Sequence, residues 1–273
     1  MADTPLLLGG TSANDVLTGG TADDVLLGQG GADRLIGGDG NDKLNSGEYV
    51  TTGGPVLDGI GDLLDGGNGD DMLAGGSGND TLIGGAGDDT LSGGGGLDTA
   101  VYGVNRDVYT VAKGNGAIGL TAIGGSETDL LIGVERIQFA DTALAFDIDG
   151  NAGQVYRLYQ AVFDRQPDLP GIGHWLSIRE DRGWSMRDIA SAFLHSDEFN
   201  RMYGNADDAQ FLTALYRNAL HREPDQPGLQ SWLTAISLGL SREEILLGFS
   251  ESAENQAQVI GSIQNGIEYH PVG

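Results

Sequence analysis

The hydrophobic positions of the chain follow two different patterns, one in each half. Between residues 15 and 98 a single leucine recurs every nine residues, two positions after an aspartate and behind a glycine-rich stretch. The leucines that keep this spacing are Leu17, Leu26, Leu35, Leu44, Leu73, Leu82 and Leu91. One apolar side chain per nine residues predicts short strands with a thin core, separated by tight turns. From about residue 151 the pattern changes to helical periodicity.

The turns have a composition suited to one kind of cation. Residues 66–91 read GGNGDDMLAGGSGNDTLIGGAGDDTL, in which glycines hold the first, second and fourth positions of each nine and aspartate the sixth. Glycine permits positive φ and close backbone approach, so backbone carbonyls can point into the turn. Carbonyls and carboxylates, without imidazole or thiolate, are the ligands that Ca²⁺ prefers. The sequence therefore predicts calcium-binding turns.

This nonapeptide pattern resembles the RTX (repeats-in-toxin) family, whose fold is a calcium-loaded parallel β-helix, or β-roll. In that fold two nonapeptides form one coil and each Ca²⁺ lies between stacked turns. The resemblance implies that Asp15 stacks with Asp33 and Asp24 with Asp42, with about five intervening ion sites in all. The predicted metal ligands, together with backbone carbonyls of the preceding turns, are Asp15, Asp24, Asp33, Asp42, Asp62, Asp71, Asp80, Asp89 and Asp98.

Residues 45–61 interrupt the register. Asp42 and Asp62 are twenty residues apart, two more than a pair of repeats. We interpret the segment as a protruding loop or a distorted coil. Asp58 is a second candidate ligand there, and the sequence does not distinguish it from Asp62.

The charge distribution supports a cation-dependent fold. The formal net charge is −26, of which residues 1–150 carry −19 and residues 151–273 carry −7. The first part would repel itself unless it were disordered or neutralised by cations, and the strict spacing favours cations. The same charge disfavours binding to nucleic acid.

Residues 99–149 depart from the nine-residue pattern and contain alternating β-branched and aromatic residues, which predict ordinary strands. An open end of a β-helix is a bare sheet edge, so we expect these strands to cap it. The stretch DLLIGVERIQFAD at 129–141 resembles the strand region that commonly follows RTX arrays.

The C-terminal part contains an internal duplication. Residues 159–175 align with 216–232 at an offset of 57, and 185–199 align with 241–255 at an offset of 56. Each copy predicts a helix, an R-x-P-D turn, a second helix and a Ser-capped helix, which makes about six helices in a bundle of two related halves. The pattern resembles domain of unknown function 4214, which often occurs beside RTX repeats.

The predicted fold class is thus β plus α multidomain, an N-terminal β-roll with a β cap and a C-terminal all-α bundle of two related halves. The predicted domains are a β-roll at 1–100, capping strands at 101–150 and a helical domain at 151–273. The helical domain comprises the duplicated segments 159–199 and 216–255 and a C-terminal secretion signal.

Duplicated polar and aromatic residues in the helical part are candidates for recognition. They are Tyr159, Arg165, Asp168, Trp175 and their equivalents Tyr216, Arg222, Asp225 and Trp232. They suit a glycan groove, but an architectural role is favoured, with the aspartates starting helices, the arginines pairing with carboxylates and the tryptophans filling the core.

The functional expectations follow from the repeats. There is no cysteine, no zinc-ligand spacing and no nucleophile or nucleotide motif, so we expect no enzyme. No basic and apolar leader or membrane span is visible, and RTX resemblance implies type I secretion by an uncleaved C-terminal signal. The leading hypothesis is a secreted calcium-binding structural or adhesive protein. It would fold on Ca²⁺ and self-assemble at the surface of a Gram-negative bacterium, as a surface layer, filament or matrix component. The alternatives are a calcium-dependent glycan-binding module and a passive calcium buffer or secretion chaperone.

Overall fold

A computed structural model describes residues 4–47, 59–204 and 206–272. The chain divides into two compact units, with the boundary between Leu144 and Ala145. The first unit is built from β-strands and the second from α-helices. Both parts of the predicted fold class are confirmed.

In the N-terminal unit, successive strands alternate between two parallel sheets, which is the arrangement of a β-roll. The strands of the repeat region are β1 (Leu7–Gly9), β2 (Val16–Thr18), β3 (Val25–Leu27), β4 (Arg34–Asp39), β5 (Lys43–Asn45), β6 (Leu63–Asn68), β7 (Met72–Ser77), β8 (Thr81–Ala86), β9 (Thr90–Gly95) and β10 (Thr99–Val101). Odd-numbered strands form the first sheet in the order β1-β3-β5-β7-β9, and even-numbered strands form the second in the order β2-β4-β6-β8-β10.

The core of the roll is a double column of leucines. In the first sheet Leu26, Leu44, Leu73 and Leu91 stand in register, and in the second sheet Leu35, Leu64 and Leu82 do. All seven are at most 2% exposed. The inward-facing positions two residues before and after each of these leucines are the turn aspartate and a glycine or serine, so the apolar core is one side chain wide on each sheet.

The interruption lies in a single turn. Asp33 and Asp62 occupy equivalent positions in adjacent coils although they are 29 residues apart, where Asp15 and Asp33 are 18 apart. The eleven additional residues therefore belong to the connection from β5 to β6, so the segment is one repeat with an eleven-residue insertion. Asp58 lies outside the described residues, whereas Asp62 takes the aspartate position of the turn.

The roll ends in a further coil that the sequence analysis assigned to ordinary strands. The later strands are β11 (Tyr109–Gly114), β12 (Ala117–Ala122), β13 (Thr128–Ile132), β14 (Arg136–Gln138) and β15 (Ala143–Ala145). β13 pairs in parallel with β9 and β14 with β10, so Leu131 and Ile137 extend the two core columns. Residues 124–132 read GGSETDLLI, a nonapeptide in which Glu127 replaces the glycine at the fourth position. The repeat is thus not lost at residue 99 but is interrupted by the antiparallel hairpin β11–β12.

The C-terminal unit contains eight helices within the described residues. They are α1 (Asn151–Phe163), α2 (Leu169–Glu180), α3 (Met186–Leu194), α4 (Asp197–Tyr203), α5 (Asp208–Leu220), α6 (Gln226–Ser237), α7 (Arg242–Ser250) and α8 (Ala253–Ile263), followed by the short strand β16 (Ile267–Tyr269). Helices α1–α4 and α5–α8 are the two related halves. The expected number of about six was wrong because Ser196 and Ser252 each cap one more helix, α4 and α8. Among the described residues no helix is long and apolar enough to span a membrane.

Candidate calcium-binding turns

The repeat aspartates form two rows, one along each edge of the roll where the chain passes between the sheets. Turns that lead from the first sheet to the second end in Asp15, Asp33, Asp62, Asp80 and Asp98, which we call row one. Turns that lead from the second sheet to the first end in Asp24, Asp42, Asp71 and Asp89, which we call row two.

Within each row one carboxylate oxygen holds adjacent coils together. The backbone N–H of each aspartate donates to Oδ1 of the aspartate one coil further along the chain. In row one Asp15 donates to Asp33 at 2.9 Å. The contacts continue without a break past the insertion, since Asp33 donates to Asp62 at 2.6 Å. In row two Asp42 likewise donates to Asp71 at 2.7 Å. The seven spaces between successive aspartates exceed the five expected, because the coils on either side of the insertion also stack.

The second carboxylate oxygen faces the glycine-rich part of the turn. A β-carbon placed on Gly66 would lie 2.3 Å from Oδ2 of Asp71 and 2.5 Å from the carbonyl oxygen of Gly84 in the next coil. The equivalent point on Gly37 lies 2.2 Å from Oδ2 of Asp42 and 2.4 Å from the carbonyl oxygen of Gly66. A carboxylate and a carbonyl from adjacent coils thus converge beside the first glycine, where only a glycine leaves room.

These oxygens fit a bound calcium ion. Oδ2 is buried and makes no hydrogen bond in Asp42, Asp71, Asp89 and Asp98, none of which is more than 1% exposed. A buried carboxylate oxygen without a donor is costly unless a cation or a proton neutralises it. The described residues contain no cluster of three or more acidic, histidine or cysteine side chains that could hold a metal. The donor set here is instead one carboxylate per turn with backbone carbonyls, which suits Ca²⁺.

The burial of these groups is reflected in their proton affinity. Burial raises the pKa of Asp71 to about 7, although the N–H of Asp42 opposes the shift and the carboxylate of Asp89 adds to it. Burial likewise raises the pKa of Asp89 to about 6, against the N–H of Asp71 and with the charge of Asp129. The pKa values of Asp42 and Asp98 are raised for the same first reason. Without a metal, these four carboxylates thus bind protons more tightly than exposed aspartates do.

A second, exposed ladder accompanies row two and was not anticipated. The residue before each ligand aspartate caps the next turn: Asp23 accepts from the N–H of Asn41 at 2.9 Å, and Asp70 from that of Asp88 at 2.9 Å. Asp88 accepts in turn from Thr128 at 2.7 Å. The signal was present in the sequence, as Asp or Asn recurs at the fifth position of these repeats. These carboxylates are exposed and form a negative strip beside row two.

Both rows continue into the closing coil, through two residues that the sequence analysis did not select. In row two the N–H of Asp89 donates to Oδ1 of Asp129 at 3.1 Å, and the hydroxyl of Tyr102 donates to Oδ2 of Asp129 at 2.8 Å. In row one the N–H of Asp98 donates to Oε2 of Glu135 at 3.0 Å. Burial raises the pKa of both Asp129 and Glu135. Asp129 is the sixth residue of GGSETDLLI, so a search for degenerate nonapeptides would have found it.

In the first half of the helical unit, the recognition candidates make internal contacts. Asp168 caps α2 by accepting from the N–H of Gly171 at 2.6 Å. Arg165 forms a two-pronged ion pair with Glu198 at 2.8 and 3.0 Å and lies over the ring of Tyr159. Trp175 donates to the hydroxyl of Tyr159 at 3.1 Å.

The second half repeats this arrangement. Asp225 caps α6 through the N–H of Gly228 at 2.7 Å, and Arg222 pairs with Glu254 at 2.9 and 3.2 Å while lying over Tyr216. The ring of Trp232 lies 5.3 Å from that of Phe249. These contacts favour the architectural role over a glycan groove for all eight residues.

Comparisons with known proteins agree with this division of the chain. The family model described as RTX calcium-binding nonapeptide repeat (4 copies) matches residues 9–44 and 65–100. That of a domain of unknown function (DUF4214) matches residues 190–259, which begin within α3. The chain therefore carries RTX calcium-binding repeats, with a DUF4214 domain behind them.

Structural and curated comparisons add little to this. The crystal structure of the extracellular lipase LipA from Serratia marcescens aligns with 49% of this chain at 19% identity and a TM-score of 0.19. This chain spans 38% of that lipase, and a TM-score of this size carries no argument. No curated protein matches the chain.

A methyl group added to the glycine at the first position of one repeat should fill the space beside the carboxylate and weaken calcium binding selectively. Gly66→Ala places a methyl group against Oδ2 of Asp71 and the carbonyl of Gly84, without backbone strain because φ is not positive there. We expect the calcium concentration at the midpoint of folding, followed by circular dichroism, to rise on the order of tenfold, as for other changes to the supports of metal ligands. Gly95→Ala is the matched control, since a β-carbon there meets nothing within 4 Å. Equal midpoints for the two variants would contradict the assignment.

The calcium-free chain should be more stable in acid than at neutral pH. Folding raises the pKa of Asp71 from 3.8 to about 7 and that of Asp89 to about 6, so the folded roll binds protons that the unfolded chain releases. This contribution is complete below pH of about 4 and is lost as the pH rises through 6 to 7. Urea unfolding in calcium-free buffer at pH 4.5 and pH 8 tests this, and greater stability at pH 8 would contradict it. With millimolar Ca²⁺ the dependence should reverse, because the metal binds the ionised carboxylates.

Proposed function

We propose that this chain is a secreted calcium-binding structural or adhesive protein. It folds on Ca²⁺ outside the cell and assembles with copies of itself at the surface of a Gram-negative bacterium. The observation that carries the proposal is that Oδ2 is buried and has no hydrogen-bond donor in Asp42, Asp71, Asp89 and Asp98. Each needs a cation or a proton in the folded state, and at neutral pH a cation is the more effective of the two, so folding of the N-terminal unit is coupled to calcium.

This coupling suits a protein that is exported unfolded. Calcium sites of extracellular modules bind at about 10⁻⁴ to 10⁻³ M, which is met outside the cell and not in the cytosol. A net charge of −19 in residues 1–150 opposes folding until calcium is present. The RTX repeats support type I secretion as the route, with the secretion signal in the C-terminal segment.

Self-association is supported by the first coil of the roll. Within the described residues, β1 pairs only with β3 and β2 only with β4, so each leaves an open edge in its sheet. Leu7 on β1 is 75% exposed and Val16 on β2 is 70% exposed. An edge strand that carries exposed apolar side chains is a template for strand addition. The proposed occupant of this edge is a second copy of the chain.

A catalytic role is not part of the proposal. The two matched family models describe a calcium-binding repeat and a domain of unknown function, and neither is that of an enzyme. In the described part, the carboxylates with strongly raised pKa values are the turn aspartates, which point between coils rather than into a cleft.

The test measures secondary structure and particle mass of the same preparation with calcium and with EGTA. We expect far-UV circular dichroism to gain β signal on calcium addition, and light scattering with electron microscopy to show ordered oligomers only with calcium. A calcium-independent spectrum would contradict the folding part of the proposal. A folded, calcium-loaded monomer at all concentrations would contradict the assembly part.

Substitutions at the open edge separate assembly from folding. Leu7→Lys combined with Val16→Lys should place like charges at the edge and give calcium-loaded monomers. Met72→Lys is the control, because Met72 is 54% exposed but lies on β7, which is paired on both sides. Oligomers that survive the double substitution would contradict the proposed contact.

Glycan binding is a second candidate, on a surface different from the one expected. A shallow groove of about 510 Å³ on the first helical half is lined by Trp184, Asp188, Ser191, Ala192 and His195. Trp184 is 41% exposed, and an aromatic face beside polar groups is suited to stacking on a sugar ring. The duplication does not reproduce it, since Leu240 stands at the corresponding position.

Trp184→Ala tests this candidate. If the groove binds cell-surface polysaccharide, the substitution should abolish retention of calcium-loaded protein on that polysaccharide. Leu238→Ala, a truncation of a side chain that is 83% exposed on the second half, should leave retention unchanged. Absence of retention for the unmodified protein, or equal retention by both variants, would exclude the groove.

A further inference from the structure

We propose that the closing coil holds a calcium ion of its own, bound between Asp98 of the last matched repeat and Glu135, which lies beyond the residues matched by the repeat model. The inference rests on the proposed calcium-dependent folding and extends it to a site that includes a glutamate from outside the repeats. It is carried by the end of row one, where the chain leaves the last matched repeat at residue 100.

The first ligand is the carboxylate of Asp98. Its side chain is fully buried, with 0% exposure, and its Oδ2 has no hydrogen-bond donor. Oδ1 is already used, since it accepts from the N–H of Asp80 at 2.9 Å. An inner aspartate such as Asp71 has the same pattern, with Oδ1 occupied by the N–H of Asp42 and Oδ2 without a donor. Asp98 therefore has the requirement of an inner ligand although no full repeat follows it.

The second ligand is the backbone carbonyl of Gly133. A β-carbon on Gly93 would lie 2.4 Å from Oδ2 of Asp98 and 2.3 Å from the carbonyl oxygen of Gly133. At the inner turn the corresponding distances from Gly66 are 2.3 Å to Asp71 and 2.5 Å to Gly84. The closing coil thus reproduces the convergence of carboxylate and carbonyl that defines the inner turns, with Gly133 in place of a repeat glycine.

The third ligand is Glu135, which takes the place of the next aspartate. Its Oε2 accepts from the N–H of Asp98 at 3.0 Å, as Oδ1 of each inner aspartate does from the coil before it. The turn from Leu131 to Ile137 is shorter than the nine residues that separate successive core leucines. The additional methylene of glutamate lets the carboxylate reach the same position from this shorter turn. Arg136 donates to the carbonyl of Glu135 at 3.2 Å and so helps to fix the segment.

The end of row two differs from that of row one, because a hydrogen-bond donor rather than a metal satisfies its last carboxylate. There Oδ2 of Asp129 accepts a hydrogen bond from the buried hydroxyl of Tyr102. The hydroxyl of Tyr102 thus occupies the position beside Oδ2 that a calcium ion would occupy in an inner turn. Row two therefore ends in a proton donor, whereas row one ends in two carboxylates and a carbonyl. Hard oxygen ligands of this kind, completed by water, are those of Ca²⁺.

The number of calcium ions bound per chain tests the site. The full chain is dialysed to equilibrium against buffer containing 5 mM Ca²⁺. The bound ions are counted by elemental analysis of the protein solution less that of the dialysate, and by calcium titration calorimetry. We expect Glu135→Gln to bind one Ca²⁺ fewer than the unmodified chain and to keep the remaining ions. The control is Glu127→Gln, which removes the same charge from an exposed residue of the same coil and should bind the full number.

Two further outcomes keep this inference apart from the proposed function. An unmodified chain that binds no calcium would overturn both, whereas Glu135→Gln with the full number of ions would overturn only the closing-coil site. Since Glu135→Gln can also impair folding of the coil, crystals of the unmodified calcium-loaded chain provide an independent measurement. An anomalous peak within about 2.6 Å of Glu135 and Gly133 oxygens is expected. Peaks at the inner turns without one at the closing coil would overturn the site.

Discussion

Repulsion between carboxylates stacked one coil apart is the constraint on which the N-terminal unit depends. Adjacent strands of a sheet lie about 4.8 Å apart, and two unit charges at that distance repel by roughly 3.5 kcal/mol at an effective dielectric constant of 20. Each row repeats this contact several times along the roll. The N–H groups that donate to Oδ1 neutralise part of each carboxylate, and Oδ2 is left for a cation in Asp42, Asp71, Asp89 and Asp98.

The other features of the repeat follow from that requirement. The first glycine leaves the space beside Oδ2 open, as the positions of Asp71 and Gly84 around Gly66 show. The glycines at the second and fourth positions of the repeat adopt positive φ, 110° at Gly67 and 127° at Gly69. This turns the backbone sharply enough to bring carbonyls together. A β-carbon on Gly67 would also lie 2.0 Å from the carbonyl of Gly38 in the preceding coil. The spacing of nine is therefore set by the turn, and the leucine uses the short strand that remains.

The sequence predicted those features that recur with an exact period and left out those that do not. The aspartate rows and the helical duplication are visible because each residue type returns at a constant offset. The closing coil escaped because Glu127 replaces a glycine and because the β11–β12 hairpin separates it from the preceding repeat. α4 was missed because its seven residues are too short for a periodic signal, and only the Ser196 cap marks its start. Which side chains of the duplication face inward was also not predictable, because architectural and recognition residues are duplicated alike.

The helical unit is stabilised by aromatic packing and ion pairs, so the two units differ in the interactions on which their folding depends. Its core contains aromatic rings in direct contact, such as Tyr159 with Phe193 at 4.7 Å and Tyr216 with Phe249 at 5.0 Å. Many of its acidic residues are used in arginine pairs and helix caps, as Glu198 and Asp168 are, so their charge is compensated within the fold. A cation is necessary in the roll because buried carboxylates there lack a neutralising partner. The acidic residues named here have such partners, so we expect this unit to fold without an added cation. Within the described residues the candidate calcium-binding turns all lie in the first unit, so the proposed coupling of folding to calcium concerns that unit.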